Sequence, residues 1–136
     1  MSEANDLFLL NLSRLSSALD RLGEALAQPS SNPLYIDGTI QRFEFCFELS
    51  WKFAKLVARR YGIDEQSPRQ VLKAAFQQNW INDDAAWTAM LEDRNLSSHT
   101  YREALAKELY DRIGGHYQAI LALRDQLSIA LTKSMD

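Results

Sequence analysis

At 136 residues, with 46% hydrophobic and 24% charged residues, the chain has the length and composition of one globular domain, 1–136, and none of the bias that marks disorder. A net charge of −3 and a pI near 5.4 argue against indiscriminate binding to nucleic acid, which requires many Lys and Arg against phosphates, and leave only a local basic face open. Cys46, the single cysteine, excludes an intrachain disulfide and reads as an inert apolar residue in a reducing, cytoplasmic setting.

In chain order, Phe8, Leu12, Leu15, Leu19, Leu22 and Leu26 alternate steps of four and three, which predicts an amphipathic helix from about Asp6 to Ala27. The opening residues hold no basic leader, and no run of about 18 apolar residues follows anywhere, so neither export nor a membrane span is expected. Pro29 and Pro33, with polar cap formers between them, end the first helix in a loop.

A long second helix is predicted from roughly Ile36 to Tyr61. Ile40, Phe43, Phe47, Trp51 and Ala54 mark one apolar stripe and Phe45, Leu49, Phe53 and Leu56 another, so several neighbours must cover it. Its polar residues fall in a narrow line, Gln41, Glu44, Glu48, Lys52, Lys55 and Arg59. Glu44 and Glu48 lie one turn apart on it and could bind a cation or a partner, but a solvated face is the favoured reading. Gly62 suits a helix stop.

Lys52, Lys55, Arg59 and Arg60 form a basic patch near the end of that helix. Compensation of the helix dipole accounts for it, and contact with RNA or a protein partner is the functional reading. Ser67, Pro68 and Gln70 spell a helix start with serine as N-cap, and Val71, Leu72, Ala75 and Phe76 give the short helix its apolar face. The chain pauses near Trp80, where a loop position leaves room for exposure. Asn82, Asp83 and Asp84 then cap a fourth helix.

That helix carries Trp87, Met90, Leu91 and, one helical step on, Arg94. An arginine on an inward stripe implies a carboxylate, carbonyls or a bound anion close by. Five residues separate Arg94 from His99, roughly 140° around an unbroken helix, so the two converge only if the helix ends between them. Asn95, Ser97 and Ser98 compete with helical hydrogen bonding and supply such an end. Imidazole beside a permanent cation provides a proton carrier and a phosphorane stabiliser, enough to cut RNA without metal. Spacing alone favours the structural alternative, with Arg94 paired to a carboxylate near Glu92 or Asp93 and His99 capping a helix.

Beyond it, Leu105, Leu109, Ile113, Tyr117, Ile120, Leu123, Leu127 and Leu131 predict a last helix of about 30 residues. Its Gly114-Gly115 pair costs about 2 kcal/mol relative to alanine, for which a bend or the close approach of another helix would be the reason. His116 reads as a satisfied core or interface histidine, and with only two histidines and one cysteine no metal site of ordinary spacing is visible. The expected fold class is all-α, an antiparallel up-and-down bundle of about five helices.

Arg94-Asn-Leu-Ser-Ser-His99-Thr-Tyr101 resembles the Arg-x(4–6)-His motif of HEPN domains, in the form with tyrosine two places after the histidine. Arg42-Phe-Glu-Phe-Cys-Phe-Glu-Leu-Ser-Trp-Lys52 and Met90 to Tyr101 are similar to the nucleotidyltransferase substrate-binding protein family, and the likeness runs from about Leu7 to Leu127. The resemblance implies a HEPN-like five-helix bundle that forms a homodimer, joining two copies of the motif. It further implies a separately encoded minimal nucleotidyltransferase partner in a toxin–antitoxin-like pair. Arg94 and His99 would then be the catalytic residues of a metal-independent endoribonuclease acting on RNA without a cofactor, and Tyr101 the residue that the partner adenylylates to silence it. The alternative is a non-catalytic subunit that presents a substrate or nucleotide to the transferase. The chain is not itself the transferase, since it lacks the Gly-Ser and spaced aspartates that hold magnesium.

Overall fold

The computed structural model describes residues 3–135, Ala4 by its backbone alone. Five α-helices account for most of them: α1 (Glu3–Leu26), α2 (Pro33–Arg60), α3 (Pro68–Gln77), α4 (Asp84–Leu96) and α5 (Glu103–Ser134), with one 3-10 turn, Ser97–His99, between the last two. No strand occurs among the described residues. The long helices α1, α2 and α5 pack on one another; α3 lies against α2, and α4 bridges α3 and α5.

The helix boundaries follow from local chemistry. Asn32 caps α2, its side chain accepting from the Leu34 amide at 2.9 Å, and Pro33 occupies the first turn where no N–H is needed. Helix α2 thus begins three residues before the expected Ile36. Its end is a Schellman motif: Ile63 N–H bonds Ala58 O at 3.0 Å, Gly62 N–H bonds Arg59 O at 3.0 Å, and Gly62 takes φ +80°. Asn79 closes α3 in the same way at φ 65°, with Trp80 N–H on Ala75 O at 2.9 Å. Ser67 caps α3 and Asp83 caps α4, as their positions in the sequence predict.

The core joins the leucines of α1 (Leu15, Leu19, Leu22), the phenylalanines of α2 (Phe43, Phe47, Phe53) and the α5 series Leu109, Ile113, Ile120, Leu123 and Leu127, all at most 1% exposed. Each such side chain contributes roughly 1.5–3 kcal/mol by leaving water. Cys46 is buried among them, and burial pushes its thiol up to about 12. Trp80 is buried as well, its ring edge-on to Tyr61 at 5.4 Å between centroids, so the exposure its loop position suggested is not found.

Two glycine expectations change. A Cβ on Gly114 or Gly115 would meet nothing within 4 Å, and α5 runs unbroken through both, so no neighbouring helix of this chain requires them. The close approach lies at Gly23 of α1, where a Cβ would sit 2.8 Å from Tyr117 Oη of α5.

Candidate functional site

The site grows out of the way α4 ends. Ser97 Oγ donates to Arg94 O at 2.6 Å, Ser98 Oγ to Asn95 O at 3.2 Å and Thr100 Oγ1 to Ser97 O at 3.0 Å. Hydroxyls that occupy the carbonyls three residues back tighten the helix into a 3-10 turn and release it before α5. The break expected between Arg94 and His99 is therefore present.

Arg94 leaves α4 towards α2. Its Nη1 lies 3.3 Å from Glu44 Oε2 and 3.3 Å from Ser97 Oγ, and its Nε lies 3.3 Å from Glu48 Oε1. The Nε contact is close enough for an ion pair but not aligned as a hydrogen bond, which leaves that buried N–H unsatisfied. Glu48 is steadied in turn by Trp51, whose indole N–H donates to Oε2 at 3.2 Å, and by Lys52 Nζ at 3.9 Å. The two glutamates hold a cation, and that cation is the chain's own arginine. Arg94's carboxylates are on α2, not at Glu92 or Asp93.

Asp93, beside Arg94 in sequence, faces the other way. Its side chain is 6% exposed and takes a two-pronged grip from Arg112 of α5, Nε to Oδ2 at 2.9 Å and Nη2 to Oδ1 at 2.8 Å. His116 Nε2 donates to Oδ2 at 2.6 Å, and its ring stacks on Phe43 of α2 at 5.3 Å. Burial tends to raise the Asp93 carboxyl, but the hydrogen bonds and charges of Arg112 and His116 outweigh it and bring the group below its ordinary value. His116 is thus the satisfied buried histidine expected of it. The sequence offered Asp93 only as a partner for Arg94 and left Arg112 unnoticed, although Asp93 lies three residues after Met90, and Arg112 and His116 lie one turn apart.

His99 and Tyr101 are exposed on the turn between α4 and α5, with ring centroids 6.3 Å apart. No hydrogen bond joins His99 to Arg94 among the described residues. Tyr101, 82% exposed, lines a groove of about 560 Å³ together with Ile36 and Asp37 of α2 and Ala104, Ala106 and Lys107 of α5. The basic patch is dispersed: Lys52 leans on Glu48, Arg59 pairs with Asp64 at 3.5 Å, Arg60 reaches Ser134 O at 3.5 Å, and Lys55 is half-buried. Of the four, only Lys52 adjoins Arg94's glutamates. No group of three or more His, Cys, Asp or Glu able to hold a metal occurs among the described residues, and none of their helices is long and apolar enough to cross a membrane.

A model of the family described as nucleotidyltransferase substrate binding protein like matches residues 10–129. A Haemophilus influenzae protein named probable ribonuclease HepT is 30% identical over 120 residues, 76% of this chain and 82% of that protein. A solved Haemophilus influenzae structure, described as revealing the fold of a substrate binding domain of a nucleotidyltransferase, superposes with a TM-score of 0.78 at 28% identity, over 86% of this chain and 98% of the other. A tri-AMPylated Shewanella oneidensis HEPN toxin, solved in complex with an MNT antitoxin, shares the fold at a TM-score of 0.74 and 17% identity, over 95% of this chain and 99% of that one.

Proposed function

Because this chain belongs to the nucleotidyltransferase substrate binding protein-like family, we propose that it is a HEPN toxin-like endoribonuclease that works without metal and is governed by a nucleotidyltransferase partner. The observation that carries the reading is the end of α4, which holds Arg94's guanidinium between two helices and then releases the chain so that His99 and Tyr101 stand exposed within seven residues of it. Arg94 would stabilise the phosphorane as charge builds on its oxygens, and His99 would pass a proton at the scissile phosphate. The nucleophile is the ribose 2′-hydroxyl, so the cut ends are a 2′,3′-cyclic phosphate and a 5′-hydroxyl.

One copy leaves Arg94 and His99 without a hydrogen bond between them, and a homodimer that places two such turns face to face would complete the site. Phe45, next to Glu44, is 50% exposed, and Leu96, two residues past Arg94, is exposed too, which suits such a contact. Tyr101 is the accessible hydroxyl for adenylylation by the partner. The test is cleavage of RNA by the purified chain in EDTA. The wild type cuts, and His99→Ala does not while keeping its helical signal and melting temperature; equal cutting by the variant would refute the assignment.

The groove beside Tyr101 favours a second reading, a non-catalytic subunit that presents a nucleotide to the transferase. Intact mass after incubation with the partner and ATP separates the two. Adenylate increments that vanish in Tyr101→Phe support the toxin system; nucleotide binding with no mass change and no RNA cleavage supports the presenting subunit.

A further inference from the structure

Cleavage of RNA by its own 2′-hydroxyl needs two proton handlers, one to take the proton from O2′ and one to give a proton to O5′. The motif offers one histidine per copy, and the two carboxylates that face Arg94 are not equivalent. Glu48 is engaged at both oxygens, Oε1 against Arg94 Nε and Oε2 accepting from Trp51. Glu44 touches Arg94 Nη1 through Oε2 at 3.3 Å, yet neither of its oxygens accepts a hydrogen bond among the described residues. Its side chain is 29% exposed, so a ligand can reach it. Arg94 spends Nε and Nη1 on these inward contacts, while Nη2 makes no hydrogen bond among the described residues and is the edge left for a phosphate. A phosphodiester seated there has Glu44 as its neighbour.

Resting on the ribonuclease reading above, we infer that Glu44 is a further catalytic residue, the general base of the cleavage step, and that Glu48 is a positioning residue that holds Arg94. The Glu44 carboxylate takes the proton from the 2′-hydroxyl; O2′ forms a bond to phosphorus; the P–O5′ bond breaks; and protonated His99 gives its proton to the departing O5′. Glu44 ends protonated and His99 neutral, and exchange with water restores both. Arg94 gains no proton and loses none. Its place is at the phosphorane oxygens.

The experiment measures kcat and KM for a short oligoribonucleotide in EDTA with four proteins: wild type, Glu44→Gln, Glu44→Ala and Glu48→Gln. Glu44→Gln keeps the shape of the side chain and loses about 10²–10⁴-fold in kcat with little change in KM, the range a general base contributes. Added formate restores part of the activity of Glu44→Ala, because a small carboxylate can occupy the vacated space. Glu48→Gln raises KM and does not respond to formate. Wild-type kcat in Glu44→Gln would overturn the inference, as would a folded Glu44→Ala that stays inactive in formate, since that result would make Glu44 a holder of Arg94 only. A wild type that cuts no RNA overturns the ribonuclease reading and this inference with it, whereas an active wild type with an indifferent Glu44→Gln overturns this inference alone.

Discussion

Asp93 and Arg94 are consecutive, carry opposite charges and are held by different helices, and together they fix the rotation of α4. Asp93 is gripped by Arg112 and His116 of α5, and Arg94 by Glu44 and Glu48 of α2. The Asp93 cluster is the drier of the two, so its loss costs more. Removing one partner of a buried pair costs about 3–5 kcal/mol; since Arg112 is partly exposed and can be rehydrated, Asp93→Ala is expected near the lower end, about 3 kcal/mol, read from denaturant midpoints. The pH dependence has a definite sign. The folded state holds the Asp93 carboxyl below its ordinary 3.8, so its contribution is complete above that value and is lost as the pH falls through the folded value. The stability gap between wild type and Asp93→Asn should therefore shrink as the pH falls below about 4. A gap that goes on widening below about pH 4 would contradict the assignment. The sequence made Arg94's need for acceptors plain, because an arginine on an inward stripe cannot stand alone, but not which carboxylates meet it. Glu44 and Glu48 are some 50 residues away in the chain, and ion-pair partners at that separation are set by packing and not by local spacing.

At the scale of elements, the signals that were legible are those written in neighbouring residues. Stripe periodicity located the helices, Ser67 and Asp83 their starts, and Gly62 the end of α2; the hydroxyls of Ser97 and Ser98 marked the tightened end of α4. Gly62 sits at φ +80°, where a Cβ is strained, while the space around it is open. Gly62→Ala should then cost about 1 kcal/mol through backbone conformation alone, measured as a lower melting temperature with unchanged helix content. No loss of stability would mean that the chain has another way to close α2. What local patterns could not show was depth. Trp80 lies between helices in sequence yet is covered by Tyr61, and Gly114-Gly115 looked like a crossing point whereas the crossing lies at Gly23 and Tyr117.

For the whole molecule, three long helices supply most of the core, α3 and α4 add Val71, Leu72, Ala75, Trp87, Met90 and Leu91 to it, and the turn after α4 carries His99 and Tyr101 to the surface. This division lets α4 end in an irregular turn without disturbing the α1–α2–α5 packing, and it leaves His99 and Tyr101 outside the core. The motif's spacing could announce Arg94, His99 and Tyr101, but not whether they meet: within one chain no hydrogen bond joins Arg94 to His99 among the described residues, and the proposed homodimer is the contact that would bring two such turns together. If the exposed Phe45 belongs to that contact, Phe45→Glu should convert a dimer to a monomer by light scattering and reduce RNA cleavage together with it. A monomeric variant that keeps full activity would place the whole site in one chain. The most direct measurement is the chemistry of the cut ends. RNA cleaved in EDTA should carry a 2′,3′-cyclic phosphate and a 5′-hydroxyl, and a 2′-deoxy substitution at the cleaved position should block the cut. Cleavage that depends on a divalent metal and leaves a 5′-phosphate and a 3′-hydroxyl would contradict the account.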